Sequence, residues 1–148
     1  MTKHGTFTLE RSLAAAPARV WAAFAEAEAR AIWGTPSPEL NMTFSETDFR
    51  VGGRDLCICG PGPAEGVTVE THYHAIDPGH RIVSTELIGM PADPDGVSLV
   101  TVVMQPDSAG TALAVTVQSV SLGTVDSIAE IEGGWTAALG NLAAYLAR

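Results

Sequence analysis

The C-terminal segment constrains the fold of this chain more than any other stretch. From about residue 128 onward, apolar side chains recur at intervals of three and four residues, which places them along one side of a helix. They are Ile128, Ile131, Trp135, Leu139, Leu142 and Leu146. Roughly a hundred residues of strand-like sequence precede this helix. A sheet that covers such a stripe must grip the helix, and we predict an enclosed space between the two.

The rest of the chain predicts an α+β fold of about seven strands in a single domain spanning residues 1–148. Period-two alternation and Val- and Thr-rich runs predict strands over residues 6–13, 41–49, 54–60, 66–76, 81–88, 97–105 and 111–120. Two short helices, 17–27 and 28–33, are predicted after the first strand, with Pro17 in the first helical turn. Turns are predicted at 60–63, 77–80, 90–96 and 106–110, and Thr124 or Asp126 as the cap of the last helix.

Composition and charge exclude several classes of partner. The 148 residues are 46% hydrophobic and 17% charged, which is typical of a compact globular protein. Seventeen acidic against eight basic residues give a net charge of -9, which disfavours binding to nucleic acid or to anionic membranes. No apolar run is long enough to span a bilayer and the first residues lack the apolar core of a secretion signal, so we expect a cytoplasmic protein.

Two cysteines offer a possible metal or nucleophilic site. Cys57 and Cys59 lie one residue apart, so on a strand both point to the same face, and we expect free thiols that fill space. His72 and His74 also share a face, and thiolate with imidazole is a usual zinc ligand set. However, the hairpin between the two pairs leaves His72 several residues down its strand, so we expect no metal site.

No recognised catalytic motif is present. The sequence has no Ser-His-Asp arrangement, no phosphate-binding glycine loop and no HExxH pattern. A nucleophilic cysteine would need a neighbouring base, and the sequence shows none. Catalytic residues therefore stay unassigned, and no cofactor is predicted.

Several phrases together carry a resemblance to a known family. They are Ala16-Pro17 followed by Val20–Phe24, then Asp48–Gly53, Tyr73 with Asp77-Pro78, Arg81–Thr85, Gly110-Thr111, and Gly134-Trp135 with Leu139, Leu142 and Tyr145. In this order and spacing the chain resembles the START-like, or SRPBCC, superfamily, and within it the homologues of the heat-shock-protein ATPase activator. The resemblance covers nearly the whole chain. It implies a helix-grip fold, in which a curved antiparallel sheet wraps round the C-terminal helix and the two short helices close one end of a deep cavity.

The aligned family positions bear on which side chains face that cavity. The family usually has aromatic or apolar residues where this chain has Asp55, Cys57 and Cys59, which share one strand face. If they point inward, these smaller side chains enlarge the cavity, and Asp55 becomes a polar anchor that needs a partner or a raised pKa. A one-residue difference in register would instead place all three outside. For Asp48 and Arg50 we predict an ion pair on one strand face, with Arg50 as the alternative anion anchor.

Five further residues are predicted to line the cavity. Trp33 and Met42 flank the proline-rich connector near the expected entrance, where adaptable side chains suit a variable ligand. Met104 lies on an apolar strand. Trp135 lies on the helical stripe that the sheet must cover, which favours a core position over ligand contact. Gln118 would offer hydrogen bonds to a ligand if it points in, and is an ordinary surface residue if it points out.

The leading hypothesis is that the protein binds an apolar or aromatic small molecule in a cavity of about 300 to 1,000 Å³. One alternative is a cavity-based enzyme, a cyclase or hydrolase, that uses Asp55 or a histidine as acid or base. Another is a protein-interaction module related to chaperone activation, which predicts a large exposed apolar patch. A homodimer is compatible with the sequence.

Overall fold

The computed structural model of the protein describes residues 2–62, 65–90, 92–123 and 126–148. In chain order its elements are β1 (Lys3–Leu13), α1 (Pro17–Ala25), α2 (Ala27–Trp33), β2 (Asn41–Glu46), β3 (Arg54–Gly62), β4 (Glu65–Asp77), β5 (Arg81–Met90), β6 (Asp93–Pro106), β7 (Thr111–Ser121) and α3 (Ser127–Leu146). This confirms the predicted helix-grip α+β fold, with two short helices after the first strand and one long helix at the end.

The described strands form one antiparallel sheet in the order β1-β7-β6-β5-β4-β3-β2. Strands β2 to β6 each pair with the next strand in sequence, and β1 pairs with β7. Along β7, every second residue from Thr111 to Ser121 is buried. Because successive side chains of a strand point to opposite faces, this alternation gives the sheet one covered inner face and one outer face.

Helix α3 covers the inner face, as its apolar stripe predicts. Asp126 caps the helix by accepting a hydrogen bond from the Ile128 N–H at 3.0 Å, which confirms one of the two predicted caps; Thr124 lies outside the described residues. Leu139, Leu142 and Leu146 are buried in the core, whereas Ile131 and Trp135 are only partly buried. The C-terminal half of the stripe therefore fills the core, and the N-terminal half is left to cover something else.

The second strand is shorter than predicted. β2 ends at Glu46, and the chain then turns: the Arg50 N–H donates to the Asp48 carbonyl at 3.0 Å and the Gly53 N–H to the Arg50 carbonyl at 2.8 Å. Gly52 has a φ of 83°, which a residue with a Cβ rarely adopts. Because turn bonds replace the strand ladder here, the prediction that Asp48 and Arg50 share a strand face is wrong.

The predicted loop over residues 90–96 is also wrong. β5 continues to Met90 and β6 begins at Asp93, with Met90 paired to Asp93 across the hairpin. Gly89 has a φ of 99°, and a Cβ there would come within 2.8 Å of the Asp95 backbone nitrogen, so the tight connection requires glycine. Pro91 lies outside the described residues, as does Pro63 in the predicted turn at 60–63.

Among the described residues, every helix is too short or too polar to cross a bilayer.

Candidate functional site

A cavity of about 260 Å³ lies between the inner face of the sheet, helix α2 and the N-terminal half of α3. Its volume falls just below the range of about 300 to 1,000 Å³ that is usual for small-molecule sites. The sheet side is built by strands β2 to β6, and Ile131, Gly134, Trp135 and Ala138 of α3 close the opposite side. The partly buried half of the helical stripe therefore covers this space.

Most of the cavity wall is apolar and much of it is aromatic. Six rings line it: Phe24, Trp33, Phe44, Phe49, Tyr73 and Trp135. Phe24 and Trp33 pack edge to face with centroids 4.9 Å apart, and Phe49 packs edge to face on Tyr73 at 5.0 Å. The Trp33 indole N–H donates to the Ala23 carbonyl at 2.9 Å, which fixes that ring between α1 and α2. Such walls favour an apolar guest over water.

Four polar side chains share one part of the wall. Thr71 and Tyr73 of β4 pair with Glu86 and Ser84 of β5, respectively, and all four line the cavity. They are inward residues of two neighbouring strands, so the sheet register brings them together. This polar patch was not predicted from the sequence.

A buried ion pair between Arg30 and Asp55 lies next to the polar patch and bonds to its Tyr73 hydroxyl. Arg30 of α2 donates through Nη1 to Asp55 Oδ2 and, at 2.9 Å, to the Tyr73 hydroxyl, which in turn donates to Asp55 Oδ2. The Asp48 backbone N–H donates to Asp55 Oδ1 at 3.1 Å. Asp55 is 1% exposed, and burial raises the pKa of Tyr73, which keeps its phenol protonated as a donor. Asp55 thus has the partner that an inward position requires.

The rest of the Arg30 guanidinium has no hydrogen-bond partner. Its Nε and Nη2 are buried and unpaired within the described part of the chain. The guanidinium carbon lies 4.9 Å from the centroid of the Phe44 ring, a cation–π distance. Arg30 is therefore held by one ion pair on one side and by an aromatic face on the other.

Glu86 is the acidic side chain of the cavity wall. Burial raises its pKa from 4.5 to about 7, against the opposing effect of the Arg30 charge. Among the described residues it makes no hydrogen bond, although it lines the cavity. A carboxyl group with this pKa changes charge near neutral pH.

The two cysteines face the cavity as unreactive thiols. Cys57 and Cys59 both line it and both are free. Burial raises the pKa of Cys57 to about 12 and also raises the pKa of Cys59. Since the thiolate is the nucleophile, neither group is activated.

The structure brings five of the eight predicted lining residues to the cavity. These are Trp33, Met42, Cys57, Cys59 and Trp135. Asp55 points to the same side of the sheet but lies behind Arg30 and Tyr73, so it supports the wall without forming it.

The structure places two of the predicted lining residues away from this cavity. Gln118 is exposed on the outer face, because its strand neighbours Val117 and Ser119 take the inward positions. Met104 points inward but is fully buried beside Leu113 in the core, beyond Val100 and Val102, which do line the cavity.

The histidines lie on the other side of the sheet. Strand β4 directs Val69, Thr71 and Tyr73 into the cavity, so His72 and His74 point to the outer face, opposite the cysteines. His74 is hydrogen-bonded to the Thr85 hydroxyl at 2.7 Å, and His72 lies 3.7 Å from a Glu70 oxygen. Within the described residues, no group of three or more His, Cys, Asp or Glu side chains is arranged to hold a metal ion.

The predicted Asp48–Arg50 ion pair is present at 2.9 Å, but both side chains are exposed to solvent rather than to the cavity. Arg50 is therefore no anion anchor for a ligand in this space. The cation at the cavity is Arg30, which was not singled out from the sequence.

Comparison with known proteins places the chain in a family. The family model described as "Activator of Hsp90 ATPase homolog 1-like protein" matches residues 14–147. The structure of the Mll3558 protein from Rhizobium loti is 33% identical in sequence, with a TM-score of 0.86 and coverage of 99% of each chain. An uncharacterised protein from Rhizobium leguminosarum is 27% identical, with a TM-score of 0.84, and the match covers 100% of this chain and 97% of that one.

Protein CV1439 from Chromobacterium violaceum is similar over 95% of this chain and 96% of its own, with 26% identity and a TM-score of 0.81. No protein of curated function matches the sequence. The family match over residues 14–147 and the shared helix-grip fold agree with the resemblance carried by the sequence phrases. The chain belongs to the Hsp90 ATPase activator homolog 1-like family of the START-like (SRPBCC) superfamily.

Proposed function

We propose that this protein binds an apolar, aromatic small molecule in the cavity between the sheet and α3. The observation that supports this most directly is a space of about 260 Å³ whose walls carry six aromatic rings. An apolar cavity of about 150 Å³ stays dry and takes up benzene, so this space has room for a larger guest of one or two rings. Transfer of such a guest from water is favourable in proportion to the apolar area it buries.

We also propose that the protein is located in the cytoplasm, since both cysteines are free.

The residues named for the enzymatic alternative do not line the cavity. His72 and His74 face outward, and Asp55 is held in an ion pair beneath the wall. The interaction alternative requires one large exposed apolar patch. The large exposed apolar side chains of the described residues belong to six separate segments of the chain: Ile32, Val51, Val67, Met90, Leu99 and Leu122.

Two adjacent glycines of α3 give a matched pair of variants for the test. A Cβ added at Gly133 or at Gly134 would meet nothing within 4 Å, but Gly134 lines the cavity whereas Gly133 is exposed. Gly134→Leu therefore directs its side chain into the proposed binding space, and Gly133→Leu places the same side chain in solvent.

The experiment is native mass spectrometry of the purified protein, followed by thermal-shift screening of neutral aromatic and aliphatic compounds. A guest that binds the folded state raises the melting temperature with its concentration. We expect the wild type and Gly133→Leu to show the shift and Gly134→Leu to lose it. A shift that persists in Gly134→Leu would place the ligand elsewhere, and no shift with any compound would refute the proposed function.

A further inference from the structure

Glu86 is a cavity carboxyl group that forms no hydrogen bond or ion pair among the described residues, although the positive charge of Arg30 acts on it without direct contact. It lies on the inner face of β5 between Thr71 of β4 and Ser98 of β6. Ser98 is bonded to Ser119 at 2.9 Å, and within the described residues nothing donates a hydrogen bond to Glu86. Glu86 is only partly buried, but a carboxylate on an apolar wall without a hydrogen-bond partner is still costly, so a ligand that supplies one would gain affinity.

Arg30 does not fill that role, because its charge is already matched. Its side chain is 13% exposed and its Nη1 is bound to Asp55, whose side chain is 2% exposed. With the Arg30–Asp55 pair neutral, an ionised Glu86 leaves the wall with one uncompensated negative charge. With a cationic ligand bound, the net charge of Arg30, Asp55, Glu86 and the ligand would be zero. With a carboxylate ligand bound, that net charge would be -2.

The remainder of the cavity also suits a cation. The rings of Trp33 and Trp135 line it, and aromatic faces attract ammonium groups. The net charge of -9 adds a long-range attraction for cations. The two unpaired Arg30 nitrogens could favour an anion, but both are buried and not exposed to the cavity.

We propose, on the basis that the cavity binds an apolar molecule as argued above, that its ligand carries a basic nitrogen which pairs with the Glu86 carboxylate. The ligand class is therefore an apolar amine of one or two aromatic rings. The amine binds as its ammonium form, and no bond is made or broken.

This assignment makes binding depend on pH. The other titratable groups that line the cavity are Arg30 from α2, Tyr73 from β4, and Cys57 and Cys59 from β3, with Asp55 behind them; the lining residues of β6 and α3 include none. Burial raises the pKa of Tyr73 and of both cysteines, so these groups stay neutral near pH 7. The pKa of Glu86, raised to about 7, means that its carboxylate becomes available as pH increases from 6 to 8.

The test compares three probes with one skeleton: 2-naphthylmethylamine, 2-naphthylmethanol and 2-naphthoate. Isothermal titration calorimetry measures each with the wild type, with Glu86→Gln and with Glu132→Gln, at pH 6 and pH 8. Glu132 is exposed on α3, so its substitution removes the same charge from the chain away from the cavity. We expect the wild type and Glu132→Gln to bind the amine about tenfold or more tightly than the alcohol at pH 8, with a smaller preference at pH 6.

In Glu86→Gln the amine preference and its pH dependence should disappear while the alcohol still binds. Equal affinities for the amine and the alcohol in the wild type would overturn the inference and leave the proposed function standing. Tighter binding of 2-naphthoate would overturn it in favour of an anion site at Arg30. If none of the three probes binds, both the inference and the proposed function fail for this ligand class.

Discussion

Removing the Asp55 carboxylate should destabilise this protein strongly, because Asp55 is buried and pairs with Arg30. The effect is on folding, since Asp55 does not line the cavity. The substitution Asp55→Ala takes away the acceptor for Arg30 Nη1, for the Tyr73 hydroxyl and for the Asp48 N–H. Arg30 Nε and Nη2 have no hydrogen-bond partner in the described part of the chain, so there the Tyr73 hydroxyl would be the one hydrogen-bond partner left to the guanidinium. The variant thus leaves the Arg30 cation nearly unpaired although its side chain is only 13% exposed.

The size of the loss follows from this burial. Breaking a buried ion pair by deleting one partner costs about 3–5 kcal/mol, because the surviving charge stays desolvated. For a domain of this length that corresponds to a fall in melting temperature of about 6 to 20 °C. The loss is a large part of a typical stability of about 5–15 kcal/mol.

The assay is urea unfolding followed by tryptophan fluorescence, with Asp48→Ala as the matched control. Asp48 also pairs with an arginine, at 2.9 Å, but its side chain is 39% exposed and that of Arg50 is 71% exposed. Exposed pairs contribute about 0–1 kcal/mol, so the control should change the free energy of unfolding little. If Asp55→Ala loses no more stability than Asp48→Ala, the argument that Arg30 and Asp55 form a buried, mutually dependent pair is refuted.

Three further predictions concern the cavity wall. Because the pKa of Glu86 is about 7 when folded and 4.5 when unfolded, stability should fall as pH rises through this interval. Glu86→Gln should therefore gain more stability relative to wild type at pH 8 than at pH 5, by up to about 3 kcal/mol in urea unfolding; an equal effect at both pH values contradicts this. Gly134→Ala should stabilise α3 by about 0.5–1 kcal/mol, since the added methyl meets nothing within 4 Å, and a loss of stability would reveal a clash. At pH 8, Cys57, with its pKa raised from 9.0 to about 12, should react with iodoacetamide about a thousandfold more slowly in the folded protein than an ordinary thiol, as mass spectrometry of labelled peptides would show; labelling at the ordinary rate would place Cys57 in solvent.

The fold could be predicted from the sequence because its signals are long and periodic. The stripe on α3 spans five turns, and the strands carry clear turn residues between them. The errors in strand bounds occur where hydrogen bonds within a turn replace the hydrogen bonds between neighbouring strands. After β2, the Arg50 and Gly53 N–H groups bond to carbonyls of the same turn, and Gly52 and Gly53 bond to Tyr73, so the strand does not continue. Gly89 allows β5 and β6 to meet through a connection shorter than the predicted loop.

The polar side of the cavity could not be predicted in the same way. In β5, the inward set Ile82, Ser84, Glu86 and Ile88 is no more apolar than the outward set Arg81, Val83, Thr85 and Leu87, so alternation alone does not show which face Glu86 takes. On α2 the usual burial of apolar and exposure of charged side chains is reversed, because Ile32 is 54% exposed and Arg30 is largely buried. One signal was available: Arg30 lies three residues before Trp33, on the same helical face, and an inward Asp55 required a cation.

The cavity itself follows from where this chain places small side chains. On α3 the stripe continues through both halves, but Gly134 lies beside Trp135 in the N-terminal half and Ala138 follows one turn later, whereas Leu139, Leu142 and Leu146 fill the rest of the C-terminal half. On the sheet opposite, Cys57 and Cys59 occupy inward positions of β3. Close-packed interiors leave no such space when both surfaces carry large residues. The Arg30–Asp55 ion pair joins α2 to β3 at the edge of this gap, and it holds the wall in place without a ligand. Glu86 remains as a carboxyl group of the wall with no hydrogen-bond partner among the described residues.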